Sequence, residues 1–105
     1  MLNNTGWKID FFDEETKTEY NTYFETYPKQ KHVKISFEKD VTKNPFFHST
    51  PRRIVSLKGK LKGKYRYGKS ETRIIYEPDQ VSKTVFPLET AKITDVSYKR
   101  KSKKK

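Results

Sequence analysis

The sequence predicts an α+β domain: an N-terminal strand, two helices and then a three-stranded antiparallel meander. The helices are expected on one face of the sheet, and the other face is expected to be open and basic. Apolar residues recur every three or four positions between residues 14 and 43, whereas after residue 60 they form short runs mixed with basic residues. Short turns separate these runs, which favours antiparallel pairing. The length of 105 residues indicates one domain, which we expect over residues 1–98, with a basic flexible tail over residues 99–105.

The first strand and first helix are predicted in the opening quarter of the chain. Residues 7–12, WKIDFF, alternate in part between apolar and polar types, as a strand does. Asp13 is expected to cap a helix over residues 14–27, because its side chain can accept a hydrogen bond from a free backbone N–H of the first turn. Pro28 ends this helix or opens the next one. The apolar stripe of the helix is Tyr20, Tyr23, Phe24 and Tyr27.

The segment 29–43 is predicted to be a second helix. Val33, Phe37 and Val41 are spaced by four residues, and the many Lys and Glu residues favour helix. Ile35 leaves a strand possible, since it alternates with its apolar neighbours. Asn44-Pro45 is expected to stop the helix.

The second half of the chain predicts the three strands of the meander. Turn signals separate three runs of apolar and alternating residues. The predicted strands are residues 64–67, 73–77 and 83–89, with turns at Gly68–Thr72 and Pro78-Asp79.

The charge is concentrated in the second half of the chain. Residues 1–50 carry seven Lys and eight acidic residues, whereas residues 51–105 carry seventeen Lys or Arg and five acidic residues, within a total of +11. Such asymmetry favours a polyanionic partner, most often nucleic acid or the ribosome. Cysteine is absent, which excludes disulfides and thiolate metal sites and suits a cytoplasmic location. We expect no cofactor, no metal, no membrane association and no small-molecule substrate.

The stretch GKYRYGKS at residues 63–70 matches the phosphate-loop pattern G-x-x-x-x-G-K-S/T. That pattern requires a helix directly after it, because the helix N-terminus completes the phosphate site. Here the residues that follow, ETRIIYE, predict a strand. The stretch is therefore interpreted as a strand and a turn.

Basic residues are expected on the open face of the meander. Lys64 and Arg66 share one side of their strand, and Arg73 begins the neighbouring strand. Arginine can hold a phosphate through two hydrogen bonds, and RNA supplies its own 2′-OH nucleophile. From charge alone, passive phosphate binding is favoured over catalysis. His32 and His48 are not expected to form an acid–base pair. Further RNA contacts are predicted for Arg52, Arg53, Lys58, Lys60, Lys62, Lys69 and Arg100.

Four segments in this order resemble the RelE/ParE superfamily of bacterial toxins. They are LKGKYRY, TRIIYE, KTVFPL and DVSY, which end at residues 67, 77, 88 and 98. The order of predicted elements is also similar across residues 7–98. The resemblance implies the toxin of a type II toxin–antitoxin system, of the RelE-like mRNA interferase branch.

The resemblance also implies an activity and partners. The activity is that of a ribosome-dependent endoribonuclease, which cleaves mRNA in the A site by metal-independent attack of the 2′-OH. The partners are a cognate acidic antitoxin protein, the 70S ribosome and mRNA. Lys64 and Arg66 match the family's basic pair, with Lys64 as general base, Arg73 matches the arginine that stabilises the phosphate, and Tyr98 matches the tyrosine that stacks on the nucleotide.

The sequence departs from the family near its end. The family often has Gly-His-Arg or Gly-Lys-Arg where this chain has Ala91-Lys92-Ile93, and Ile93 cannot donate a proton. Lys92 or Arg100 is the candidate replacement for the general acid. Two alternatives stay open: a ParE-like inhibitor of DNA gyrase, and a non-catalytic basic protein that binds RNA or the ribosome.

Overall fold

The computed structural model describes residues 6–96, and it confirms the predicted α+β fold, with two helices and a five-stranded mixed sheet. The predicted tail, residues 99–105, lies outside the described residues. The elements in chain order are β1 Lys8–Ile9, α1 Glu14–Thr26, α2 Lys31–Lys43, β2 Ile54–Ser56, β3 Tyr65–Lys69, β4 Thr72–Asp79 and β5 Thr84–Lys92. Short 3-10 turns at Pro28–Gln30 and Gly59–Leu61 complete the set.

The sheet has the strand order β1-β5-β4-β3-β2. Its last four strands pair antiparallel, so the predicted meander is present as β3, β4 and β5. The first strand, β1, runs parallel to β5 at one edge. Sequence reasoning missed β2 at the other edge, because a strand of three residues is too short to show an alternation pattern.

Helix α1 begins where the sequence predicts. The Oδ1 atom of Asp13 accepts a hydrogen bond of 2.9 Å from the backbone N–H of Thr16. Three aromatic residues of the predicted stripe are buried, whereas Tyr27 at the helix end is partly exposed. Pro28 then opens a 3-10 turn that leads into α2.

Helix α2 resolves the choice between helix and strand. Val33, Phe37 and Val41 are completely buried, whereas the side chain of Ile35 is 60% exposed. A strand would place Ile35 between two buried neighbours on the same face, but helical spacing turns it to the outside. The four-residue spacing of the buried side chains, and not their alternation with Ile35, therefore gives the correct structure of this segment.

The core lies between the two helices and one face of the sheet. Phe37 of α2 packs edge-on against Tyr67 of β3 and Tyr76 of β4, with ring centroids 5.3 and 5.6 Å apart. Ile74 and Val85 complete the buried surface of the sheet. Large aromatic rings thus fill a core that the low apolar content of 31% would otherwise leave thin.

Two predicted turns are wrong in their bounds. Gly68 is a strand residue that pairs with Arg73, so β3 continues to Lys69 and the turn is shorter. Strand β4 continues through Pro78 to Asp79. The side chain of Asp79 accepts a hydrogen bond of 3.0 Å from the backbone N–H of Val81. The turn follows Asp79, whereas the sequence predicts it at Pro78-Asp79.

Candidate nucleic-acid interface

The open face is the surface of the sheet opposite the helices, and the register of the strands fixes its members. Tyr67, Ile74 and Tyr76 point into the core, so the residues that alternate with them point the other way. Directly paired residues share a face. The open face therefore contains Arg66, Gly68, Arg73, Ile75, Glu77, Glu89 and Ala91, of which Ile75 and Glu89 are buried.

Arg73 lies flat against the sheet at one end of the open face. A Cβ atom built on its cross-strand partner Gly68 would lie 3.0 Å from the Nε atom of Arg73. The Nη1 atom of Arg73 donates to the carbonyl oxygens of Thr72, at 2.7 Å, and Ser70, at 3.1 Å. The turn between β3 and β4 thus holds the guanidinium over the glycine.

Arg66 lies beside Arg73 on the same face. It pairs with Ile75, which is two residues from Arg73 along β4, so the two arginines are diagonal neighbours. Such neighbours have Cα atoms about 7–8 Å apart, within reach of long side chains. Both arginines are half-buried. The register therefore brings together two of the cations that the sequence singles out.

Lys64 does not stand exposed on this face, and that expectation is wrong. Its side chain is only 7% exposed. The residue precedes β3, and its backbone is held on both sides by the β2–β3 connection: its N–H donates to Leu61 and its carbonyl accepts from Leu57. The side chain of Lys64 therefore offers little surface to a bound RNA in this conformation.

Lys92 lies on the opposite side of the sheet from Arg66 and Arg73. It pairs with Thr72, whose side chain faces the helices, and its Nζ atom lies 4.5 Å from the ring centroid of Tyr27. This position separates Lys92 from the two arginines, and its role as general acid stays a prediction. The cause is the two-residue period of β5, which places Ala91 and not Lys92 beside Arg73.

The remaining predicted RNA contacts do not form one surface. Arg52, Lys58, Lys60 and Lys62 are exposed around β2. The guanidinium of Arg53 lies over the ring of Tyr67 at 5.9 Å, and Lys69 donates a hydrogen bond of 2.8 Å to Ser36 of α2, so both are on the helix side. Tyr98 and Arg100 lie outside the described residues.

Sequence analysis did not identify two carboxylates that lie on the open face. Glu89 is 6% exposed and pairs with Ile75, in the same row of the sheet as Arg66. Glu77 occupies the next row, and its Oε1 atom is buried. Their positions follow from strand alternation once the register is known, and the irregularity between Ile75 and Tyr76 shifts that alternation in a way that the sequence does not reveal.

A second polar cluster joins α2, the following loop and β3. The hydroxyl of Tyr67 donates to the Oδ2 atom of Asp40 at 2.6 Å, and the Nε2 atom of His48 lies 3.1 Å from the same oxygen. Burial, and then the hydrogen bond to Asp40, raise the pKa of Tyr67 well above its usual range. The Nδ1 atom of His48 accepts from the backbone N–H of Thr50 at 2.9 Å. Because both nitrogens are engaged, His48 anchors the loop.

Neither a candidate metal site nor a membrane-spanning helix is present within residues 6–96. No group of three or more His, Cys, Asp and Glu residues is placed to hold a metal ion there. No helix in that part of the chain is long and apolar enough to cross a membrane.

The fold is similar to that of a chain in the crystal structure of the toxin–antitoxin complex RelBE2 from Mycobacterium tuberculosis. The TM-score is 0.63 at 20% sequence identity, over 86% of this chain and 94% of that one. No protein-family model matches the chain, and no curated protein matches it. The likeness confirms the predicted RelE-like fold.

Proposed function

We propose that the protein is the toxin of a type II toxin–antitoxin system and cleaves mRNA in the ribosomal A site. The observation that carries this proposal is the pair Arg66 and Arg73, which lie side by side on the open face of a RelE-like sheet. A matched structure that is itself a toxin–antitoxin complex supports the toxin class.

The proposed reaction needs no nucleophile from the protein. The 2′-oxygen of the RNA bonds to phosphorus, and the bond from phosphorus to the 5′-oxygen breaks. The products are a 2′,3′-cyclic phosphate and a 5′-hydroxyl, with one proton leaving the 2′-OH and one reaching the 5′-oxygen. Arg66 and Arg73 would bind the phosphate and stabilise the negative charge that develops on it.

Proton transfer is proposed to involve neither of the two lysines that the sequence favoured. Lys64 is buried, and Lys92 faces the helices. Tyr98 and Arg100 keep their predicted roles as sequence expectations. The assignment to Arg66 and Arg73 therefore concerns phosphate binding and charge stabilisation.

The proposed inhibitor is an acidic antitoxin protein, and the proposed site of action is the ribosome in the cytoplasm. A net charge of +11, with all of the excess positive charge in the second half, favours partners that carry negative charge. An acidic protein and the ribosomal RNA would compete for the same cations. Binding to one partner would then exclude the other.

The test is primer extension on programmed ribosomes with a defined mRNA. We expect cuts in the A-site codon with the wild type and a loss of at least about a hundredfold in cleavage rate with Arg73→Ala, the size typical for one oxyanion-stabilising group. Lys39→Ala is the matched control, because it removes one exposed positive charge from α2. An intact message with the wild type would refute the nuclease.

The second candidate function is non-catalytic binding to RNA or the ribosome. The burial of Lys64 and the helix-side position of Lys92 favour it, since they remove two of the groups assigned to catalysis. Ribosome binding without cleavage in the same experiment would select this alternative. Inhibition of DNA supercoiling by gyrase would instead select the ParE-like reading.

A further inference from the structure

We propose that Phe47 is a stacking platform for a base of single-stranded RNA, with Arg52 and Arg53 of the same loop binding adjoining phosphates. Phe47 lies in the loop between α2 and β2, and its side chain is 67% exposed. The inference rests on the proposed function for the identity of the nucleic acid. It adds a binding site on the helix side of the sheet, separate from Arg66 and Arg73.

The residues before Phe47 are fixed to the core. The ring of Phe46 packs edge-on against Trp7 and against Tyr65, each with a centroid distance of 5.5 Å. The carbonyl oxygen of Pro45, which is buried, accepts a hydrogen bond of 2.6 Å from the hydroxyl of Tyr76. The backbone therefore enters Phe47 from a fixed position.

The residues after Phe47 are fixed as well. His48 contacts Asp40 at 3.1 Å and accepts from the N–H of Thr50 at 2.9 Å. The N–H of Arg53 donates to the carbonyl of Thr50 at 3.2 Å. Phe47 is thus held between two anchored neighbours while its ring points to solvent. A ring held in advance loses little conformational entropy when a ligand stacks on it.

The charge around the platform favours RNA over a protein partner. The loop from Asn44 to Arg53 contains Arg52, which is exposed, and Arg53, which is half-buried, and it contains no carboxylate. An aromatic ring beside arginines is the pattern that binds single-stranded RNA, because each base offers a π-face and each nucleotide a phosphate.

A protein interface would need a larger apolar patch than this loop offers. The other large apolar residues exposed in the described part of the chain lie on other elements: Ile35 on α2, Val81 in the β4–β5 turn and Ile93 after β5. Phe47 is therefore an exposed ring on a loop that also carries two arginines, which suits a nucleobase.

The path of the RNA follows from the register of the edge strand. Val55 of β2 pairs with Arg66 of β3, so only one strand separates Arg66 from the sheet edge. Arg53 leads directly into β2 and lies over Tyr67 on the helix side. A single strand of RNA bound at Arg66 would cross this edge and continue toward Phe47.

The experiment measures binding of the full chain to a fluorescently labelled, unstructured oligoribonucleotide of about twelve residues, by anisotropy at low salt. Loss of one aromatic ring that stacks on a base typically weakens binding about 5- to 150-fold. We expect a loss of this size for Phe47→Ala and for Phe47→Leu, and near wild-type affinity for Phe47→Trp. Ile35→Ala is the matched control, because it removes another exposed apolar side chain, from α2, and should leave binding unchanged.

Each other outcome overturns the inference. Wild-type affinity for Phe47→Ala would mean that the ring does not contact RNA, and wild-type affinity for Phe47→Leu would mean that no stacking occurs. The inference would also be refuted if the wild type did not bind the oligoribonucleotide. It would be refuted as well if Phe47→Ala weakened binding to an acidic protein partner but not to the oligoribonucleotide. Primer extension on ribosomes tests the proposed nuclease separately, since free RNA can bind at Phe47 whether or not the open face cuts it.

Discussion

At the scale of single residues, Gly68 and Arg73 show how one cross-strand pair sets the position of a functional side chain. The guanidinium of Arg73 occupies the space above Gly68, where a Cβ atom would come within 3.0 Å. An alanine at this position would require the side chain of Arg73 to shift by a few tenths of an ångström. The glycine of the phosphate-loop pattern thus has a structural role unrelated to nucleotide loops.

Gly68→Ala should shift the side chain of Arg73 and lower A-site cleavage, but by less than Arg73→Ala does. The backbone of Gly68 is not in the left-handed region, so alanine fits its conformation and we expect a change in unfolding free energy of about 1 kcal/mol or less. The measurement is the cleavage rate of both single variants and the double variant. If Gly68 acts through Arg73, the double variant should be no slower than Arg73→Ala, whereas additive losses would show an independent role.

The residue scale also shows where sequence reasoning stops. Alternation places Arg66 and Arg73 on one face, and the structure has them there. It cannot predict that Lys64 is buried, because burial depends on residues distant in the chain. Lys92 was assigned by its place in a motif, but the register of β5 turns it toward Tyr27.

At the scale of elements, the two helices follow directly from local patterns. The cap at Asp13 and the stripe on α2 both depend on side chains within a few turns of each other, and the sequence predicts both. The β2 strand depends on its pairing with β3, and its three residues carry no local pattern. Elements stabilised by near neighbours were therefore predictable, and elements stabilised by distant partners were not.

The cap of α1 makes a prediction about stability. Asp13→Ala removes the acceptor for the N–H of Thr16, and we expect a loss of about 1 kcal/mol, or a thermal midpoint lower by about 4–8 °C. Glu25→Ala is the matched control, because it removes the same charge from the last turn of the same helix, where a negative charge is unfavourable. It should leave the midpoint unchanged or slightly higher. Equal losses in both variants would refute a specific role for the cap.

At the scale of the whole molecule, buried phenols tie the helices to the sheet. Tyr20 of α1 donates to Glu38 of α2 at 2.8 Å, and Tyr67 and Tyr76 connect the sheet to α2 and to the loop that follows it. Burial raises the pKa of all three phenols above the usual range, with neighbouring acidic or phenolic groups adding to the effect. The fold therefore requires these groups to stay protonated.

Alkaline conditions should unfold the protein progressively above about pH 10. Below that pH both the folded and the unfolded protein keep the phenol protons, so the folded state is fully stabilised. Above it only the unfolded chain releases them. Each of the three tyrosines then lowers the free energy of unfolding by up to about 1.4 kcal/mol per pH unit. Urea unfolding of the wild type and Tyr67→Phe between pH 7 and pH 11.5 measures this. For the variant, the free energy of unfolding should fall with pH less steeply, by up to about 1.4 kcal/mol per pH unit. An unchanged slope would contradict the assignment.

The distribution of charge predicts a strong dependence of RNA binding on salt. Each phosphate contact to a single strand contributes about −0.7 to the slope of log affinity against log salt concentration. Arg66→Ala should therefore make the slope shallower by about 0.7, and Lys39→Ala, on the exposed surface of α2, should not change it. Titrations of the labelled oligoribonucleotide at several salt concentrations give both values. Parallel lines for the wild type and Arg66→Ala would exclude Arg66 from the RNA contact.

The pairing of β1 with β5 has a consequence for the order of events during synthesis. Lys8 pairs with Thr84, so the first strand to leave the ribosome has no partner until the last strand has followed it. Arg73 lies on β4, in the interior of the same sheet, and its row is completed by Ala91 of β5. The open face thus does not exist on a nascent chain. A ribosome that makes this protein is not exposed to the finished face until nearly all of the described chain has been translated.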